Sequence, residues 1–197
     1  KQFQGALSEY TKKGCDQTSC DKVRTKIRNF VVHWHTKEKT RPTNSLLAVL
    51  DSYLKVFDKD ANFFMHAGVV ATDLKQYQRA IGYHIAGSRA SKKPSQKKAN
   101  EIALLENAEL TKSHKKKLEA YDFFLSQNSE SKDYDKVLYL KAISLDRLKR
   151  NNEAQKIFAG LIGSKTLSES LKVDSSDRYL KSLVKAGDHK IVFSESK

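Results

Sequence analysis

Apolar residues in this chain recur at helical spacing. Val23, Ile27, Phe30, Val31 and Trp34 share one face of the stretch 21–38. Leu46, Leu47, Leu50, Tyr53, Leu54 and Phe57 make a wider face in 45–57. The same spacing predicts helices at 2–13, 60–74, 76–90, 99–111, 114–127, 134–150 and 152–162, with shorter ones at 166–173 and 175–186. Breaks fall where turn residues stand. Gly14 and Gly187 end helices, Pro42 blocks one, and Thr43 or Asn44 caps the next. Asp21 suits a helix start, and Ser175 or Ser176 suits the cap of the last helix. The segment 91–98, SKKPSQKK, reads as a linker with Pro94 at its turn, and 189–197 reads as a strand or an ordered tail.

The helices come in pairs, and the pairs repeat. Leu104, Ala108, Ala120 and Phe124 recur about 34 residues later as Leu138, Ala142, Ala154 and Phe158. Phe30, Trp34, Leu46 and Leu50 align at that offset with Phe64, Gly68, Ala80 and His84. Gly68 and Ala80 are small, which lets two helices cross closely. The expected fold is all-α, a right-handed superhelical solenoid of antiparallel helix pairs with about ten or eleven helices. Residues 1–19 form a partial repeat or cap, including a Cys15–Cys20 loop. Residues 20–163 form four pairs, at 20–57, 60–91, 95–128 and 133–163. Residues 164–197 form capping helices and a tail.

These pairs resemble tetratricopeptide repeats, on Phe64, Gly68, Tyr77 and Ala80, then Leu104, Ala108, Ala120 and Phe124, then Leu138, Ala142, Leu145, Ala154 and Phe158. The pair from Ile27 departs from the pattern, because Trp34 stands where a small residue belongs. The texture of 120–162 is similar to tetratricopeptide proteins of the bacterial cell envelope, which serve as periplasmic adaptors and assembly factors. The resemblance implies a concave groove that binds a protein or peptide partner. It places Arg28, His35, Asn62, Met65, Thr72, Glu109, Lys112, Tyr139, Asp146 and Arg147 toward that groove. One subgroup clamps a terminal carboxylate with Lys and Asn. Met65, Leu105, Tyr139, Val69, Glu109 and Ile143 stand at those places here, so that clamp is missing.

Charge adds a second candidate surface. The 197 residues carry 37 Lys+Arg against 23 Asp+Glu, a net charge of +14. Such a balance attracts acidic protein segments, an anionic envelope surface or nucleic acid, or simply keeps a Lys-coated protein soluble. From Lys75 to Asn100 there are seven basic residues and no acidic one. Arg79, Arg89, Lys92, Lys93, Lys97 and Lys98, with Lys115, Lys116 and Lys117, are the expected polyanion-facing ridge. Lysine outnumbers arginine, and the aromatics are spent on repeat cores, which weighs against nucleic acid.

Cys15 and Cys20 read as a disulfide closing a tight loop, worth about 2 kcal/mol, with free thiols and then a metal or redox pair as the alternatives. A disulfide favours a periplasmic or other extracytoplasmic setting over the cytoplasm. No signal-peptide pattern stands at the start, and Lys1 without a Met reads as a processed or trimmed chain. No apolar run is long enough for a transmembrane helix. Phosphate-binding glycine loops, HExxH and a nucleophile elbow are missing. His33 and His35 flank Trp34 but point to different sides of a helix. Glu106 and Glu109 share a face, as many surface pairs do. The expectation is therefore no catalytic residue, no metal and no cofactor. Two alternatives remain open: a basic solenoid that binds nucleic acid or another polyanion, and a helical scaffold belonging to an envelope enzyme complex.

Overall fold

The computed structural model describes Gly5 and residues 17–38 and 41–186, with no strand among them. Nine helices are described: α1 (Gln17–Glu38), α2 (Asn44–Leu54), α3 (Ala61–Asp73), α4 (Tyr77–Ala90), α5 (Pro94–Leu110), α6 (His114–Gln127), α7 (Tyr134–Arg147), α8 (Asn151–Ile162) and α9 (Glu169–Ala186). The all-α class therefore holds. Apart from Gly5, the helix expected at 2–13 lies outside the described residues, as do the tail expected at 189–197 and Cys15. Cys20 was expected in a loop, but its backbone belongs to α1.

Two further boundaries differ from expectation. The linker at 91–98 is mostly helix, because α5 starts at Pro94. Proline lacks the N–H that a first helical residue leaves unpaired, and its fixed φ suits that position. The Lys93 carbonyl accepts from the Lys97 N–H at 3.0 Å, so the helix runs directly from Pro94. At the other end, the two short helices are the single α9. Ser175 and Ser176 do not cap. Their hydroxyls donate to the Leu171 and Lys172 carbonyls one turn back, at 2.7 and 3.0 Å, and this satisfies them inside a continuous helix.

Contacts divide the chain into two compact units, Lys1–Asn107 and Ala108–Lys197. In the first, consecutive helices from α1 to α4 pack in turn around an apolar core that includes Val31, Leu46, Leu50, Tyr53, Phe63 and Ala80. Trp34 is half-buried against that core, whereas Phe30 is 45% exposed. Thr43 caps α2 by accepting from the Leu46 N–H. Asp60 caps α3 and also accepts from the Tyr53 hydroxyl at 2.9 Å, while Tyr53 stacks on Phe63 at 4.2 Å. Apolar packing and capping thus fix one joint.

The boundary between α4 and α5 is polar. His84, 1% exposed, places Nδ1 3.2 Å from the Asn100 side-chain oxygen. The Ser88 hydroxyl donates to buried Glu101 at 3.1 Å. Two glycines here are notches, Gly68 of α3 and Gly87 of α4. A Cβ on Gly68 would strike the His84 ring, and one on Gly87 would strike Asn100. Gly68 is therefore small to admit an imidazole, which sharpens its expected role in a close crossing.

In the second unit α6, α7, α8 and α9 pack in sequence. Leu118, Ala142, Leu145, Ala154 and Phe158 form the core there, with Tyr139, Ile143, Ile157 and Tyr179 packed against it. The turns after α3 and α7 are alike. Lys75 and Lys149 each take a left-handed φ, 59° and 63°. The next residue's N–H then reaches back to Ala71 and Leu145 respectively, closing the helix end.

Several side-chain bonds join residues 32 to 35 positions apart. Within the first unit Gln76 donates to Asn44 across 32 residues, Gln96 to Asn62 across 34, and Thr72 meets Asn107 across 35. Within the second, Tyr139 donates to Asp174 across 35.

Candidate functional site

The expected groove residues divide between the units. In the first, Arg28 lies over the Phe63 ring, with its guanidinium carbon 5.8 Å from the centroid. Asn62 is exposed and accepts from Gln96 at 2.6 Å. Met65 is half-buried. Thr72 is 2.9 Å from both the Gly68 carbonyl and the Asn107 oxygen, so packing already uses its hydroxyl. The His35 side chain lies outside the described residues.

In the second unit, Glu109 and Lys112 are exposed. Tyr139, Asp146 and Arg147 all belong to α7 but face different neighbours. The Tyr139 ring meets Phe158 edge-on at 6.1 Å, and its hydroxyl donates to Asp174, which also accepts from Arg178 Nε at 2.6 Å. Burial, then the Asp174 contact, raises the Tyr139 pKa, so the phenol stays protonated. Burial pushes the Asp174 carboxyl up, but the bonds from Tyr139 and Arg178 outweigh it and hold the group below its usual range. Arg147 is on the side of His114 and Lys117. Burial lowers the His114 pKa first, and these two cations lower it further. Asp146 faces the other way, into a cleft.

That cleft encloses about 320 Å³. Asp146 closes it from the end of α7. Asn151, Asn152 and Gln155 come from the first turns of α8, with Ala154 and Phe158 as its apolar floor. Arg178, Lys181 and Ser182 of α9 form the far wall. The far-wall cations are already answered, Arg178 by Asp174 and Lys181 by Asp177 at 2.6 Å. Ser182 donates to the Tyr179 carbonyl. By contrast, the Asp146 carboxylate and the Asn151, Asn152 and Gln155 amides make no side-chain hydrogen bond with a described residue. Four polar groups with spare capacity therefore line one small concavity.

Of these, sequence reasoning found Asp146 and missed the rest. Three are on the second helix of a pair, which the family resemblance does not direct toward a groove. Arg178 and Lys181 belong to α9, expected to be a cap. The signal for α9 was available: carrying the 34-residue offset once more past Tyr139 reaches the turn that holds Asp174.

The expected basic ridge also spans both units, six residues in the first and three in the second. Arg79 is tied to Asp51, to Tyr83 and to Gln76. Lys97 approaches Glu101 at 3.9 Å, Lys116 pairs with Glu119 at 2.7 Å, and Lys117 reaches the Glu109 carbonyl at 3.5 Å. Arg89 stands in the last turn of α4. Lys92, Lys93, Lys98 and Lys115 are exposed and form no ion pair with a described residue.

Among the described residues no group of three or more His, Cys, Asp or Glu is placed to hold a metal ion, and no helix is long and apolar enough to cross a membrane. The Cys15–Cys20 pairing lies outside the described residues. No known family model matches the chain, and a search of characterised proteins finds no significant match.

Proposed function

We propose that this chain is a helical-repeat scaffold of the tetratricopeptide kind that binds a protein partner and carries out no chemistry of its own. The proposal extends to its setting, the bacterial cell envelope outside the cytoplasm, on the strength of the closely spaced cysteines. Two features support the repeat reading: the recurring small residues at helix contacts, Ala80, Ala108, Ala120, Ala142 and Ala154, all buried, and the side-chain bonds between residues one repeat apart. One observation carries the binding reading. The cleft beside Asp146 gathers a carboxylate and three amides that the fold itself leaves unused. Hydrogen-bonding groups of this kind are what a partner segment needs to exchange its water for protein contacts.

Pull-down from extracts tests this. Asp146→Ala with Asn152→Ala should reduce partner recovery about tenfold, a loss near 1.4 kcal/mol, without changing the helical circular dichroism. Unchanged recovery would place the partner elsewhere. A thiol count on non-reduced protein tests the setting, since two free thiols would argue for the cytoplasm.

A second reading rests on Lys92, Lys93 and Lys98, exposed and in no ion pair with a described residue at the start of α5, where the helix dipole adds positive potential. It assigns that face to a polyanion. Binding to single-stranded DNA or to anionic vesicles at low salt, lost steeply as salt rises, would support it.

A further inference from the structure

The cleft formed by α7, α8 and α9 also has a chemical preference, which rests on the partner-binding reading above. Its charges are unequally committed. Arg178 and Lys181 each have an aspartate of their own at 2.6 Å. Arg147, the cation next to Asp146 in sequence, is turned toward His114 and Lys117. Asp146 alone faces the cavity without a counter-charge, half-buried at the end of α7. A carboxylate in that state gains most from a cationic donor, because the charge-assisted bond replaces water at a site already partly desolvated.

The amides specify the rest. Asn151 and Gln155 are one helical turn apart on α8, with Asn152 beside them. A carboxamide donates and accepts at once, so it can pair with both the N–H and the C=O of an extended peptide backbone. Phe158 and Ala154 beneath offer an apolar floor for the methylene stem of a long side chain. A cavity of about 320 Å³ is of a size to take one such side chain with its flanking backbone.

We infer that this cleft binds an extended peptide segment of the partner, its backbone held by the Asn151, Asn152 and Gln155 amides and one Lys or Arg side chain by Asp146. This runs against the net charge of the whole chain, which favours acidic partners at long range. At about 0.15 M salt the Debye length is about 8 Å, so the local carboxylate decides within the cleft.

The test uses the whole chain and pools of immobilised, end-blocked peptides of about nine residues, roughly 30 Å when extended. Each pool is degenerate except for one fixed central residue. At about 0.15 M salt the protein should retain Lys-fixed and Arg-fixed pools about tenfold more than the Glu-fixed pool. Asp146→Asn, close to isosteric, should bring that ratio near unity while pools with a neutral centre are retained as before. Asn151→Ala with Gln155→Ala should weaken every pool alike. Retention without a preference for Lys or Arg, or a preference that survives Asp146→Asn, would overturn this inference and leave partner binding standing. Retention of no pool above that of an unrelated protein would overturn the partner-binding reading as well.

Discussion

Replacing Gly68 with alanine sets two effects of opposite sign against each other. In an open helix the change stabilises by about 1 kcal/mol, because glycine loses more backbone entropy on folding. At Gly68 the new Cβ would meet Cε1, Nε2 and Nδ1 of His84, the farthest of them at 2.8 Å. The ring has nowhere to retreat. It is 1% exposed, and its Nδ1 is tied to Asn100, itself fully buried. Relief means pushing α4 from α3 or breaking the Asn100 bond. Overpacking of this kind costs about 1–3 kcal/mol, and loss of a buried hydrogen bond adds about 1–3 kcal/mol. After the helix-propensity gain, Gly68→Ala should destabilise the protein by about 3 kcal/mol. Urea unfolding followed by far-ultraviolet circular dichroism reads this, since loss of helix in either compact unit registers in it. Gly82 and Gly160 are controls. A Cβ at either meets nothing within 4 Å, so alanine there should stabilise by about 0.5–1 kcal/mol. The cycle with His84→Ala completes the argument: once the ring is gone, Gly68→Ala should cost little or nothing. A Gly68→Ala protein as stable as wild type, or one whose deficit persists in the His84→Ala background, would refute the reasoning.

Three more outcomes follow from the same geometry. Burial lowers the His84 pKa below the ordinary 6.5, so as pH falls the unfolded chain takes up the proton first. Its contribution is flat above 6.5 and destabilises progressively from there down to the folded value, so urea midpoints should fall less on acidification from pH ~8 to ~5 in His84→Gln than in wild type. Lys149 holds a left-handed φ of 63°, which glycine adopts without a Cβ penalty, and Lys149→Gly should raise stability by about 1 kcal/mol in the same assay. Tyr139→Phe removes the hydroxyl that donates to Asp174, and should cost about 1 kcal/mol while leaving the helical spectrum intact.

What could be read in the sequence was what hydrophobic periodicity encodes. Leu46, Leu47, Leu50, Tyr53 and Leu54 were grouped on one face by spacing alone, and all are buried. The small residues Ala80, Ala108, Ala120, Ala142 and Ala154 stand at expected helix contacts, and all are buried. Misreadings arose where one residue type serves two purposes. Pro94 reads as punctuation between helices, but proline is equally at home as a first helical residue. Ser175 and Ser176 read as caps, but a serine can bond its own helix. The polar joint of His84, Asn100 and Glu101 was invisible, because an amphipathic pattern scores such residues as surface. The cleft was half visible for another reason. Asp146 shares its helix with the repeat-defining residues, whereas Asn151, Gln155 and Arg178 gain meaning only when three helices converge.

The polar joint between α4 and α5 has a consequence for assembly. Apolar surfaces tolerate sliding, since one leucine ridge resembles the next. The pairs His84–Asn100 and Ser88–Glu101, with the Gly87 notch that admits Asn100, exist in one alignment only. A slip of one helical turn would strand a histidine, an asparagine and a glutamate away from water with no partner, at several kcal/mol in all. The joint therefore acts as a ratchet stop. In a chain built of helices of similar length and pattern, it tells α5 which turn of α4 is its own.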